Sequence, residues 1–103
     1  MGQNLENPED EEQYYKWYHE GHIEGFFQSD LLKKVYRYKR IGNDDALPQY
    51  LTIYHFNSMD DRNQWERSSA FEAGLKAGGI ERPSSINITS WVGHFELIRK
   101  WEK

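Results

Sequence analysis

The residues best placed to do chemistry lie between Tyr14 and Phe27. There the chain reads YYKWYHEGHIEGFF and gathers six of its sixteen aromatic side chains and two of its four histidines. Imidazole titrates near neutral pH, and burial among rings holds it uncharged, so His22 is the first candidate for a general base. A phenol nearby, Tyr38 or Tyr54, would then donate to the enolate oxygen formed when His22 takes a proton next to a carbonyl. Trp17, Tyr18 and Trp65 supply ring walls for such a pocket, because ligand sites are mostly apolar with a few placed polar groups. His55 and His94, on strands whose inner face is open at this point, are further candidates for substrate contact. The alternative gives the same residues to the core: His22 closes a helix by bonding a backbone carbonyl, and the rings fill space.

Other chemistries find less footing. The run His19-Glu20-Gly21-His22 spaces its histidines three apart and lacks the glutamate placement of the HExxH zinc motif, so neither a metal nor a cofactor is expected. Lys33, Lys34, Arg37, Lys39 and Arg40 read as the solvated side of an edge strand, with steering of an anionic substrate as the alternative. No phosphate-binding glycine loop and no Ser-His-Asp pattern is present, and Gly78-Gly79 suits a helix stop.

The elements that must position these residues follow from caps and periodicity. Asn7 is a good N-cap, Pro8 suits the first helical position, and Glu9 to Glu12 complement the positive end of the helix dipole. Steps of four then place Tyr14, Tyr18, His22 and Phe26 on one stripe. Gly21 and Gly25 predict a break or bend, which would leave His22 at a helix end. From Leu32 to Ile41 the period becomes two, with Tyr36, Tyr38 and Arg40 on one face and Val35, Arg37, Lys39 and Ile41 on the other. A loop, IGNDDALPQ, leads to YLTIYHF, which sets Tyr50, Thr52, Tyr54 and Phe56 against Leu51, Ile53 and His55. Ser58 followed by Asp61 resembles a capping box that opens a second helix, interrupted near Ser68-Ser69 and stopped at Gly78-Gly79. Residues 86–101 predict one long extended or bent strand, with Gly93 as a candidate bulge.

At 103 residues the chain is expected to form one domain, 1–103, and with 37% hydrophobic residues it can build a core only by burying its rings. A net charge of −4 disfavours nucleic acid, whose binding depends on basic residues neutralising phosphates. The absence of cysteine excludes disulfides, thiolate nucleophiles and cysteine metal sites. No apolar run has membrane-spanning length, and MGQNLENPEDEE lacks the basic and apolar regions of a secretory signal, so a soluble cytoplasmic protein is expected.

WYHEGHI, the strand ending VYRYKRI and then PQYLTIYHF together resemble the EthD-like and stress-responsive branches of the dimeric α/β-barrel superfamily. The resemblance covers residues 8 to 77 and is most specific at Trp17-Tyr18 and His22-Ile23. It departs at Glu24-Gly25, where such proteins usually carry Pro, and at the start, where a central apolar strand is usual and residues 1–7 offer only Leu5. Either GQNLE forms a short polar strand, or the start of the sequence omits that strand, or a partner or the long C-terminal strand fills the position. The resemblance implies an α+β, ferredoxin-like βαββαβ unit that pairs its sheet with a second copy, and a cleft between helices and sheet. It further implies a cofactor-free enzyme of cyclase, isomerase, dehydratase or decarboxylase type acting on a small aromatic, polyketide-like or otherwise carbonyl-bearing molecule. The alternatives are a non-catalytic dimeric ligand-binding or interaction protein, or a haem-binding or oxygenase member.

Overall fold

A computed structural model describes the backbone of residues 1–103 and the side chains of all but residues 87–90. Its strands are β1 (Gly2–Leu5), β2 (Leu32–Lys39), β3 (Tyr50–Phe56) and β4 (Ile86–Trp91). They form one antiparallel sheet in the order β2-β3-β1-β4. The helices are α1 (Glu11–Tyr15), α2 (Ile23–Phe26), α3 (Met59–Glu66) and α4 (Ser69–Lys76). A π-helical segment, Lys16–His22, joins α1 to α2. This α+β arrangement, with helices packed on one side of the sheet, is compatible with a ferredoxin-like fold.

β1 takes the central position although it is short and polar. A central strand is tolerated only if its polar groups are matched, and here they are. Gln3, buried, accepts from the Tyr14 hydroxyl at 2.6 Å. Asn4 and Gln49 exchange bonds with each other's segment: the Gln49 N–H donates to Asn4 Oδ1 at 2.9 Å, and the Leu5 N–H donates to Gln49 Oε1 at 2.7 Å. Leu5 then enters the core. The polar alternative for GQNLE is therefore the one realised.

The first helical stretch, residues 8–26, begins as its caps predict, with Asn7 Oδ1 accepting from the Glu9 N–H at 3.1 Å. It does not break at its glycines. A Cβ on Gly21 would lie 2.4 Å from the Ala77 carbonyl oxygen, and one on Gly25 would lie 2.4 Å from the backbone of Ala73 and Gly74. The glycines let α4 approach to backbone distance, and the helix runs on through them. His22 consequently sits mid-helix, not at a helix end.

Later elements follow their signals closely. Ser58 Oγ accepts from the Asp61 N–H at 3.1 Å to cap α3, and the helical stretch divides into α3 and α4 around Ser68. After α4 the chain turns through left-handed backbone at Ala77, Gly78 and Gly79. The last expectation needs correcting. β4 ends at Trp91, and residues 92–103 have no regular secondary structure, so Gly93 lies outside any strand. The sheet irregularities occur instead between Gly2 and Asn4 in the β1–β4 pairing and between Leu32 and Lys34 in the β2–β3 pairing.

Two ring-rich clusters fill the space between the layers. Tyr14, Trp17, Tyr18 and Tyr50 pack with Leu5, Ala77 and Ile86, while Phe26, Leu32 and Trp65 pack with Val35, Tyr54, Phe56 and Phe71. Each large side chain fully withdrawn from water contributes roughly 1.5–3 kcal/mol, so rings supply most of the stabilisation that aliphatic residues usually provide.

Candidate functional site

His22 is enclosed by its neighbours. Its ring stacks on Trp17 at 4.4 Å, tilts against Phe26 at 4.2 Å and meets the edge of Tyr18 at 5.0 Å. Nδ1 donates to the Gly74 carbonyl at 2.7 Å. Gly74 lies in the last turn of α4, where carbonyls have no intrahelical N–H to accept, so the imidazole caps a neighbouring helix. Burial drives the His22 pKa down from 6.5 to about 4, opposed by the bond to Gly74 and reinforced by the charges of Arg82 and Arg37. The imidazole is neutral at pH 7 and carries its proton on Nδ1.

The residues expected to line a pocket around His22 fall into two groups. Trp17, Tyr18, Tyr54 and Trp65 share its side of the sheet, where they pack against one another. Tyr54 reaches Tyr18 through a 2.5 Å contact between hydroxyls, and Tyr18 donates in turn to Thr52 Oγ1 at 3.3 Å. Because Tyr18 gives its proton to Thr52, Tyr54 is the donor in the contact between hydroxyls; burial pushes the Tyr54 phenol well above its ordinary pKa, with Tyr18 adding to the shift. Trp65 gives its indole N–H to the Phe26 carbonyl at 3.2 Å. Each of these polar groups is already engaged within the chain. Neither of two shallow surface depressions, one beside Glu11 and Tyr50 and one beside Gly25 and Ala73, is lined by His22 or Tyr54.

Tyr38, His55 and His94 are elsewhere. In the β2–β3 register Tyr38 stands opposite Leu51 and Lys34 opposite His55, which puts Tyr38 and His55 on the helix-free face. Strand alternation made Tyr38 and Arg37 point to opposite sides; only the packing of the helices decides that Arg37 is the inner one. Tyr38 therefore cannot share an enolate with His22. His94 is exposed in the segment after β4.

The inner polar centre is Arg37, which strand patterning alone assigns to a solvated edge. Its guanidinium lies 3.7 Å from the centroid of the Tyr18 ring and 4.9 Å from that of Tyr14. It donates to Thr52 Oγ1 at 3.2 Å, to His19 Nε2 at 3.0 Å and to the Tyr14 hydroxyl. No carboxylate lies within ion-pair distance of it among the described residues. Aromatic faces and neutral acceptors thus carry the charge. His19 stays neutral beside it, its pKa lowered by burial and then by the Arg37 charge. The signal was available in the alternation that aligns Arg37 with Val35, but only together with knowledge of which face the helices cover. Among the described residues no group of histidines and carboxylates could hold a metal. No helix there is long and apolar enough to cross a membrane.

Residues 6–77, most of the chain, match the family described as a domain of unknown function, DUF4286. The chain belongs to that family. No curated protein and no solved structure matches it. The match spans the first helical stretch, β2, β3, α3 and α4, and so takes in both the His22 enclosure and the Arg37 centre.

Proposed function

We propose that this chain acts as a homodimeric interaction protein whose two sheets meet through their helix-free faces to close an α/β barrel, with no proton transfer at His22. The observation that carries this reading is the contrast in cover at the sheet. On the helix side the buried polar side chains of β1, β2 and β3 are matched within the chain, whereas Tyr36, Tyr38 and Ile53 stand 44%, 53% and 40% exposed on the other side, next to His55. A contiguous ring-bearing apolar face on a protein of 12.3 kDa is the usual mark of an interface. The resemblance to dimeric α/β barrels supports the same pairing.

The enzymatic alternative asks His22 to release its bond to Gly74 and a cavity to open between Trp17, Tyr18 and Phe26. A haem-binding role would require the same ring to reach iron. Both demand that the tightest part of the core come apart.

Sedimentation equilibrium tests the proposal. The expected particle has twice the mass of one chain, and Ile53→Lys, which sets a charge in the paired face, reverts it to a monomer with its fold unchanged by circular dichroism. A full-length chain that stays monomeric up to hundreds of micromolar would overturn it.

A further inference from the structure

We infer that Arg37 anchors a binding site for a small monocarboxylate, at the opening between the first helical stretch and the outer edge of β2. The site lies on the helix side of the sheet, so it stands or falls apart from the pairing of helix-free faces proposed above.

A guanidinium carries five N–H donors and keeps its charge at any accessible pH. Three of those donors are engaged inside the chain: Nε with Thr52, Nη1 with His19 and Nη2 with the Tyr14 hydroxyl. Nη1 and Nη2 each retain one N–H that has no acceptor among the described residues. The three acceptors are neutral, and the Tyr18 ring lies against the guanidinium at 3.7 Å. The group is thus fixed in place without being neutralised.

Its charge is uncompensated at longer range too. Beyond burial, the largest influence on each, Arg37 acts on the pKa values of Tyr14, His19, His22 and Tyr54. A carboxylate, Glu20, opposes it only at His19, and there Arg37 outweighs Glu20. Residues 87–90 contain no acid. A cation half withdrawn from water is costly unless a counter-charge meets it. The chain withholds that counter-charge, and a ligand can supply it.

The approach is open. Arg37 is half-buried, His19 beside it is exposed, and β2 is an edge strand with no further strand to close that flank. Tyr15, half-buried, stacks on His19 at 5.0 Å and offers an apolar wall.

The donors and the charge select the ligand. One N–H on each of two adjacent nitrogens suits the two oxygens of a carboxylate. The other cations on β2's inner and trailing end are already engaged: Lys39 pairs with Glu11 at 2.8 Å, and Arg40 donates to the carbonyls of Gly42, Asp44 and Leu47. A single free positive charge, near Glu20 and on a chain of net charge −4, favours a monoanion over a phosphate dianion or an acidic protein surface.

The test titrates acetate and benzoate, with benzamide as the uncharged counterpart, into the full chain near neutral pH at an ionic strength held constant with chloride. The readout is the NMR shift of the backbone amides of Tyr18, His19 and Glu20. At least one carboxylate should give a saturable shift with a dissociation constant of about 1 mM or tighter, and benzamide should give none. Arg37→Met should weaken binding at least about tenfold. Lys34→Met, which removes a charge from the opposite face of the same strand, should leave it unchanged. Should Arg37→Met fail to fold, Arg37→Lys keeps the charge but not the paired donors, and the same weakening is expected. Absence of a saturable shift would overturn the site, as would unchanged binding in the Arg37 variant. An equal response to benzamide would overturn it by assigning the binding to the rings, and an equal loss in Lys34→Met would do so by assigning it to the general field of a basic strand.

Discussion

The two faces of the sheet present opposite solutions to the same problem. On the helix side a guanidinium, several phenols and two histidines are brought into a largely apolar layer, and each finds its partner in the same chain: Tyr14 with Gln3, Tyr18 with Thr52, Tyr54 with Tyr18, His22 with Gly74. On the other side Tyr36 and His55 meet edge to face at 5.3 Å, and Tyr38 and Ile53 remain open. Groups that resemble a catalytic set can be fully occupied by structure, while the face with less chemistry is the one left uncovered. A substitution that disturbs the first face should therefore cost stability, and one on the second should cost association.

The largest effect is expected at the helix crossing. In Gly25→Ala the new methyl would lie 2.4 Å from the backbone of Ala73 and Gly74, which no rotamer change relieves. Loss of about 3 kcal/mol or more is expected in urea titration; a loss below 1 kcal/mol would mean that the two helices are not in backbone contact.

Next comes the pH response of His22. Its pKa falls from 6.5 unfolded to about 4 folded, so the unfolded chain binds more protons between those values and stability drops as pH falls through that window. The full contribution, present above pH 6.5 and gone below pH 4, is up to about 3 kcal/mol. His22→Asn should flatten this part of the stability profile relative to the parent chain, and an unchanged slope would place the acid sensitivity elsewhere.

Arg37→Met keeps the stem and removes the charge and its donors. It should cost about 1–2 kcal/mol, in line with losing hydrogen bonds and a ring contact from a half-buried cation. The smallest effect on folding belongs to the open face, where Tyr38→Ser should change the unfolding free energy of the monomer by less than about 0.5 kcal/mol. Its consequence should appear in the dimer dissociation constant instead.

Much of the architecture was legible where one local rule decided it. The Asn7-Pro8 start, the Tyr14-Tyr18-His22-Phe26 stripe, the Ser58 cap and the alternation of β3 each depend on residues a few positions apart. What was not legible depends on distant partners. Gly21 and Gly25 resemble helix breakers until Ala73, Gly74 and Ala77 are placed against them. β1 resembles a gap until Tyr14 and Gln49 satisfy its amides. The parity of β2 was correct, but whether Tyr38 or Arg37 faces His22 is decided by the helices alone. Residues 86–101 read as one long strand, and only 86–91 find a ladder.

The central place of β1 also bears on how the chain is made. Gly2 and Gln3 pair with β3, but Asn4 and Leu5 are matched on their other side by Asn87 and Ile86, far along the chain from β1. This inner strand must wait, solvated and unaligned on one side, until residues 86–91 are available to pair with it. Such long-range closure slows folding, so the nascent helices, already able to bury rings against one another, would act as the scaffold on which the sheet is finally zipped.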